Sequence, residues 1–172
     1  SSLNIPEGFL IRFMNDASSF AVGEAWAGSA AKANRSLSIT LGTGFGSAFI
    51  SNRIPIVDGP EVPKLGCIYH LPYEDGIADD YFTTRWFMRR YKSLTGTELS
   101  GVKELSELAA GDRIVRDLFT EFGDKSALFL APWLKRFKAE ILVIGGNISH
   151  AYKLFGNVFE ERLKRENCSC EV

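Results

Sequence analysis

The stretch Leu37-Ser38-Ile39-Thr40-Leu41-Gly42-Thr43-Gly44-Phe45-Gly46, resumed by Ala48-Phe49-Ile50, decides the fold. Leu37 to Leu41 alternates apolar and polar side chains with the period of a strand that has one buried face. Five residues holding three glycines interrupt the pattern, and a second apolar run follows, which predicts a β-hairpin with a glycine-rich turn. Missing Cβ atoms let such a backbone approach a ligand closely, and successive N–H groups in the turn form a small anion nest. An ordinary hairpin turn is the competing reading. The turn is neither a Walker loop, since no Gly-Lys-Ser/Thr follows, nor a dinucleotide fingerprint, since a strand rather than a helix comes next.

Upstream, Phe9-Leu10-Ile11-Arg12-Phe13-Met14 reads as a buried strand that stops at Asn15-Asp16. Either residue can cap a helix over about 17–31, where Ala17, Phe20, Ala21 and Ala25 share one side. Downstream of the hairpin, Ile54-Pro55-Ile56-Val57 predicts a short third strand. Residues 58–76 carry three prolines and three glycines and read as a long ordered loop, a kind of segment that is often functional. Over 79–137 the pattern is helical. One helix spans Tyr81, Phe82, Trp86 and Met88 to Tyr91, a second is capped by Ser100, and two more cover 112–122 and 126–137. Ile141-Leu142-Val143-Ile144 has the composition of a central strand, and Gly145-Gly146-Asn147 turns it into a helix over about 149–165. Cys168-Ser169-Cys170-Glu171-Val172 begins another strand. Strands alternating with helices around a hairpin, with a helical insertion, describe an α/β domain.

Composition narrows the function classes. In a chain of 172 residues, 45% hydrophobic content supports one packed core and excludes an intrinsically disordered chain. Twenty basic side chains face twenty-one acidic ones without long blocks, so there is no electrostatic footprint for nucleic acid or anionic lipid. No apolar run is long enough to span a bilayer. Three cysteines, Cys67, Cys168 and Cys170, are too few and too unevenly spaced for a disulfide framework, so a cytoplasmic, reducing setting is expected.

Three turns carry candidate chemistry. Asp16 sits where a strand ends and a helix begins, the edge of an α/β sheet at which ligands bind. An ionised carboxylate at a helix N-terminus can accept a proton from a substrate hydroxyl, or it can simply be a cap. The Gly42-Thr43-Gly44 turn is the second. Gly145-Gly146 is the third: paired glycines allow a nucleotide close to the backbone, and serve tight strand–helix packing equally well.

Asn15-Asp16-Ala17, then Leu41-Gly42-Thr43-Gly44-Phe45-Gly46, then Ile144-Gly145-Gly146-Asn147-Ile148-Ser149 closely resembles the ROK family of bacterial glucokinases, related hexose and amino-sugar kinases, and sugar-responsive repressors. The resemblance runs from about Ile11 to the end. It implies an α/β fold, an RNase H-like lobe of the actin/hexokinase ATPase type with a helical insertion. Residues 1–172 would be the carboxyl-terminal lobe, without the amino-terminal lobe, its Asp-x-Gly-Gly-Thr phosphate loop, and the final helix. Asp16 would be the general base and Asn15 its neighbouring sugar ligand. Gly42, Thr43 and Gly44 would hold the phosphates of ATP, and Gly145 and Gly146 would face the adenosine. Gly66-Cys67-Ile68-Tyr69-His70 aligns with the family's Gly-Glu-Ile-Gly-His, which places His70 on a sugar-contacting histidine. Asp79 falls near a sugar-contacting Glu.

The implied activity is ATP- and Mg²⁺-dependent phosphorylation of a hexose or amino sugar by the intact protein. The alternative is the non-catalytic sugar-sensing lobe of a repressor. The implied partners are a sugar, ATP and a second copy in a homodimer, with no membrane and no direct nucleic-acid contact by this lobe. Cys67 replaces the family's Glu, Tyr69 a Gly, and Met14 an acidic residue. No cysteine lies between His70 and Cys168, so the zinc site of many members is not expected.

Overall fold

The computed structural model describes residues 14–172. The strand expected over Phe9 to Met14 falls outside these residues except for Met14, which is in no regular element. Helix α1 (Asp16–Ala27) is followed by the hairpin β1 (Arg35–Leu41) and β2 (Phe45–Ser51), and then by the short edge strand β3 (Ile54–Ile56). A loop with one 3-10 turn (Lys64–Gly66) and a small hairpin, β4 (Pro72–Tyr73) and β5 (Gly76–Ile77), leads into α2 (Ala78–Tyr81), α3 (Thr84–Thr95) and α4 (Val102–Leu108). The long α5 (Arg113–Phe137) precedes β6 (Ile141–Gly145), a 3-10 turn (Asn147–Ala151) and α6 (Tyr152–Arg165).

The main sheet has the order β3-β2-β1-β6. β1 pairs antiparallel with β2, closing at Leu41↔Phe45, and parallel with β6, where Thr40 is opposite Gly145. That register has a direct consequence. The glycine turn after β1 and the Gly145-Gly146 turn after β6 emerge side by side at one edge of the sheet, because parallel neighbours end at the same edge.

The pleat sends Leu37, Ile39 and Leu41 into the large core with α5 and α6, where the Phe49 and Phe137 rings lie 5.0 Å apart. The opposite face is thin: Ala21 and Ala25 of α1 rest on Ala48 and Ile50. Small side chains on both partners let α1 lie close to the strands, which brings its N-terminus to the same sheet edge. The insertion closes over an aromatic cluster in which Phe82 packs against Phe45, Tyr73 and Phe129.

Several expected boundaries shift. α1 stops at Ala27 rather than running to 31, because the Gly28 N–H closes on Glu24 O and the Glu24 carboxylate accepts from Ser29 N. Helices 112–122 and 126–137 are one continuous α5: Gly123 is a contact site, where a Cβ would meet Phe155 O at 2.7 Å, not a break. The helix expected through Tyr81 and Trp86 is instead two, interrupted at Phe82-Thr83, where the Phe82 ring drops into the core. Gly101, not Ser100, caps α4; the Glu104 carboxylate accepts from both Ser100 N and Ser100 Oγ at 2.8 Å. The helix expected from 149 starts as a 3-10 turn and becomes α-helical at Tyr152. Residues 168–172 form a single parallel bridge, Ile141↔Glu171, in place of a strand. The Cys168 and Cys170 thiols, two positions apart, lie together, Sγ to Sγ 3.6 Å.

Candidate functional site

A cleft of about 600 Å³ opens at the sheet edge where the turns converge. Asn15, Asp16, Gly42, Thr43, Gly44, Asp79 and Gly146 all line it, so most of the candidate residues read from sequence come together. Gly145 and His70 do not line it. A Cβ on Gly145 would strike the Phe20 ring at 2.5 Å, so this glycine serves strand–helix packing. His70 lies beside Cys67, with Nδ1 3.8 Å from the Cys67 Sγ, and Cys67 itself lines the cleft.

Each element delivers its side chain for a local reason. Asn15 is the N-cap of α1, its Oδ1 accepting the Ser18 N–H at 2.7 Å. Capping consumes that oxygen and leaves the Nδ2 amide as the group available to a ligand. With Asn15 as the cap, the exposed Asp16 is left free of that duty in the first turn, its Oδ1 meeting only its neighbour's Ala17 N–H at 2.8 Å.

The glycine turn is tightened by the Gly42 N–H donating to Gly44 O at 3.1 Å. That turns the Gly42 amide inward, and the Phe45 amide donates to Asp79 Oδ1 at 2.7 Å. The N–H groups of Thr43 and Gly44 are left without an acceptor among the described residues, and both residues are exposed to the cleft. Two adjacent free amides with no side chain at Gly44 make an anion nest. The turn is braced from outside: Thr84 N, at the start of α3, donates to Gly42 O at 2.8 Å. The interruption at Phe82-Thr83 is what brings that amide there. Gly146 has φ +87° and sits so close to β1 that a Cβ would lie 2.4 Å from Leu41 O, so only glycine fits this corner.

Cys67 and Tyr69 complete the wall on the side of the long loop, with Tyr69 and His70 in edge contact at 5.2 Å between ring centres. Burial pushes the Cys67 thiol above its ordinary pKa, so it is a neutral, weak donor rather than a thiolate.

A second cavity of about 610 Å³ adjoins the first and shares Thr43 and Asn147 with it. It lies between α4 and the 3-10 turn after β6; Val102 and Ala151 supply apolar wall, and Ser100, Lys103, Ser106 and His150 supply polar groups. Sequence reading did not find this cavity. Its residues on α4 and on the turn after β6 are at least 41 positions apart, and no local motif marks them. Among the described residues, no group of three or more His, Cys, Asp or Glu side chains is placed to hold a metal ion, and no helix is long and apolar enough to cross a membrane.

Known proteins share this architecture. A ROK hexokinase from Thermus thermophilus superposes with a TM-score of 0.80 at 22% identity, covering 92% of this chain and 58% of its own. A ROK family glucokinase from Streptomyces griseus, solved with glucose and AMPPNP, gives 0.73 at 22% identity, with 91% and 58% covered. A ROK family transcriptional regulator, a homologue of the E. coli MLC protein, gives 0.76 at 16% identity, with 88% and 43% covered. In sequence, an N-acetyl-D-glucosamine kinase of Pectobacterium carotovorum is 24% identical over 166 residues, which are 84% of this chain and 54% of that protein. The chain thus spans about half the length of the curated relatives it matches. Its fold is the RNase H-like lobe of the actin/hexokinase-type ATPases, with α2 to α4 as the helical insertion. The ROK family pattern itself matches residues 4–171, leaving almost none of the sequence outside it: the chain belongs to the ROK family.

Proposed function

We propose that the protein carrying this chain is a sugar kinase that transfers the γ-phosphoryl group of ATP to a hydroxyl of a hexose or N-acetylated amino sugar, and that this chain is one of its two lobes. The observation that carries the reading is the shared cleft. The carboxylate of Asp16 and the free amides of Thr43 and Gly44 line one cavity, and a second cavity of nucleoside size opens beside the turn. Phosphoryl transfer asks little covalent chemistry of a protein; it asks that an alcohol and a phosphate be aligned and the charge stabilised. Asp16 would accept the hydroxyl proton, and the Asn15 amide would orient the same sugar. Thr43 and Gly44 would hold phosphate oxygens by N–H donation, with the base and ribose over α4 and the turn after β6. Mg²⁺, when bound, would offset phosphate charge; with no ligand cluster among the described residues it would ride mainly on the nucleotide's oxygens and water.

N-acetylglucosamine kinases among the relatives, and glucose in a structural neighbour, name the first acceptors to try. The test is Asp16→Asn in the full-length protein, assayed by coupled ADP release with N-acetylglucosamine and glucose. Loss of a general base lowers kcat by about 10²–10⁴-fold while sugar binding persists. Unchanged turnover in this variant refutes the assignment of Asp16. A wild-type protein that binds sugar without turnover is instead a sensing lobe.

A further inference from the structure

We infer that Asp79 is a positioning residue for the phosphate-binding turn; the inference rests on the kinase reading. Although Asp79 reaches the cleft wall, both of its carboxylate oxygens are engaged. Oδ1 accepts the amide of Phe45, the residue that closes the glycine turn, at 2.7 Å, and Oδ2 is ion-paired with Arg85 of α3. Its backbone is equally committed. Asp79 N donates to Tyr69 O at 3.0 Å, and Asp79 O accepts from Thr83 Oγ1 at 3.0 Å. One residue therefore ties the long loop with Cys67 and Tyr69 to the turn holding Thr43 and Gly44, 34 positions away in sequence. Phe45 is buried, so its N–H has no water to fall back on, and a charged acceptor is the strong choice for it.

The ion pair has a second consequence. A carboxylate beside a phosphate nest repels the nucleotide, and Arg85 offsets that charge on the outer oxygen. Held this way, Asp79 sets where the free amides of Thr43 and Gly44 point.

The experiment is isothermal titration of the full-length protein with AMPPNP and, separately, with the sugar the wild type turns over. Asp79→Ala removes the acceptor and weakens AMPPNP binding about tenfold or more, the worth of one charge-assisted hydrogen bond. Asp79→Asn keeps an oxygen for the Phe45 amide and restores most AMPPNP affinity. Arg85→Ala leaves the carboxylate uncompensated: AMPPNP binding weakens, the loss shrinks at high salt, and adding Asp79→Asn reverses it. These last two variants retain the acceptor and carry the test where Asp79→Ala fails to fold. If AMPPNP affinity is unchanged in both Asp79→Ala and Arg85→Ala, whatever happens to sugar affinity, the inference is overturned. A wild-type protein that binds no AMPPNP overturns the kinase reading itself.

Discussion

Gly46→Ala offers a steric test of how α1 is seated against the glycine turn. Gly46 lies in β2 beneath the first turn of α1, and a Cβ there would sit 2.3 Å from Thr40 Oγ1 and 2.8 Å from the Ala17 Cβ. The hydroxyl can rotate away, but Ala17 has no rotamer to change. Two carbon atoms pack at about 3.5–4.0 Å, so α1 must retreat from the strand by roughly 1 Å. Ala17 follows Asp16 directly, and the proposed base moves with it. A displacement of that size in a positioned group costs about 10²-fold in rate, while overpacking a well-filled contact destabilises by about 1–3 kcal/mol.

The assay is steady-state ADP release by the full-length protein, with urea unfolding measured in parallel. The expected signature is a large fall in kcat, a modest fall in unfolding midpoint, and a KM for ATP close to wild type, because the turn keeps its own braces. Gly23→Ala is the control: the same helix, nothing within 4 Å of the new methyl, and a gain of about 0.5–1 kcal/mol from helix propensity with kcat unchanged. A folded Gly46→Ala protein with kcat within about threefold of wild type would refute the reasoning, since a 1 Å shift of the base cannot leave the rate intact.

Three other outcomes follow from the structure. Gly146→Ala meets backbone rather than side chain, 2.4 Å from Leu41 O, at φ +87°; strain and overlap together cost roughly 2–5 kcal/mol, read as a lowered urea midpoint, and an unchanged midpoint contradicts the corner described. Cys67, whose pKa burial raises, should alkylate slowly with iodoacetamide at pH 7 and faster above the ordinary thiol pKa of 9.0, with labelling slowed by the sugar if the cleft is the acceptor site. Cys170, raised by burial and then by the Cys168 thiol beside it, favours the folded state below that ordinary value and loses the contribution as pH climbs above it, so stability measured by urea unfolding should decline on the alkaline side.

Much of the fold was legible in local pattern. The period-two alternation of Leu37 to Leu41, the apolar run of Ile141 to Ile144 and the Asn15 cap are properties of neighbouring residues, and short-range sterics and hydrogen bonding decide them. The motif succession likewise carried Asp16, the glycine turn and Gly146 to their places. What local pattern misjudged were the positions at which a distant contact outweighs propensity. Gly123 reads as a break until Phe155 packs over it, and Phe82 reads as helical until its ring is drawn into the core. Asp79 reads only as a position near a sugar-contacting Glu, and its contacts with the Phe45 amide and Arg85 come from segments that no local pattern joins to it.

The amino-acid sequence alone determined the hairpin and the parallel strand beside the cleft, the residue types at its turns, and the family. Only the tertiary structure decided that His70 lies against Cys67 and Gly145 packs on Phe20, that the amides of Thr43 and Gly44 rather than Gly42 remain free, and that a second cavity adjoins the first. The physical reason is that propensity acts over a few neighbouring residues. Which hydrogen-bonding groups are already satisfied, and which are left for a ligand, depends on chain segments that only folding brings together.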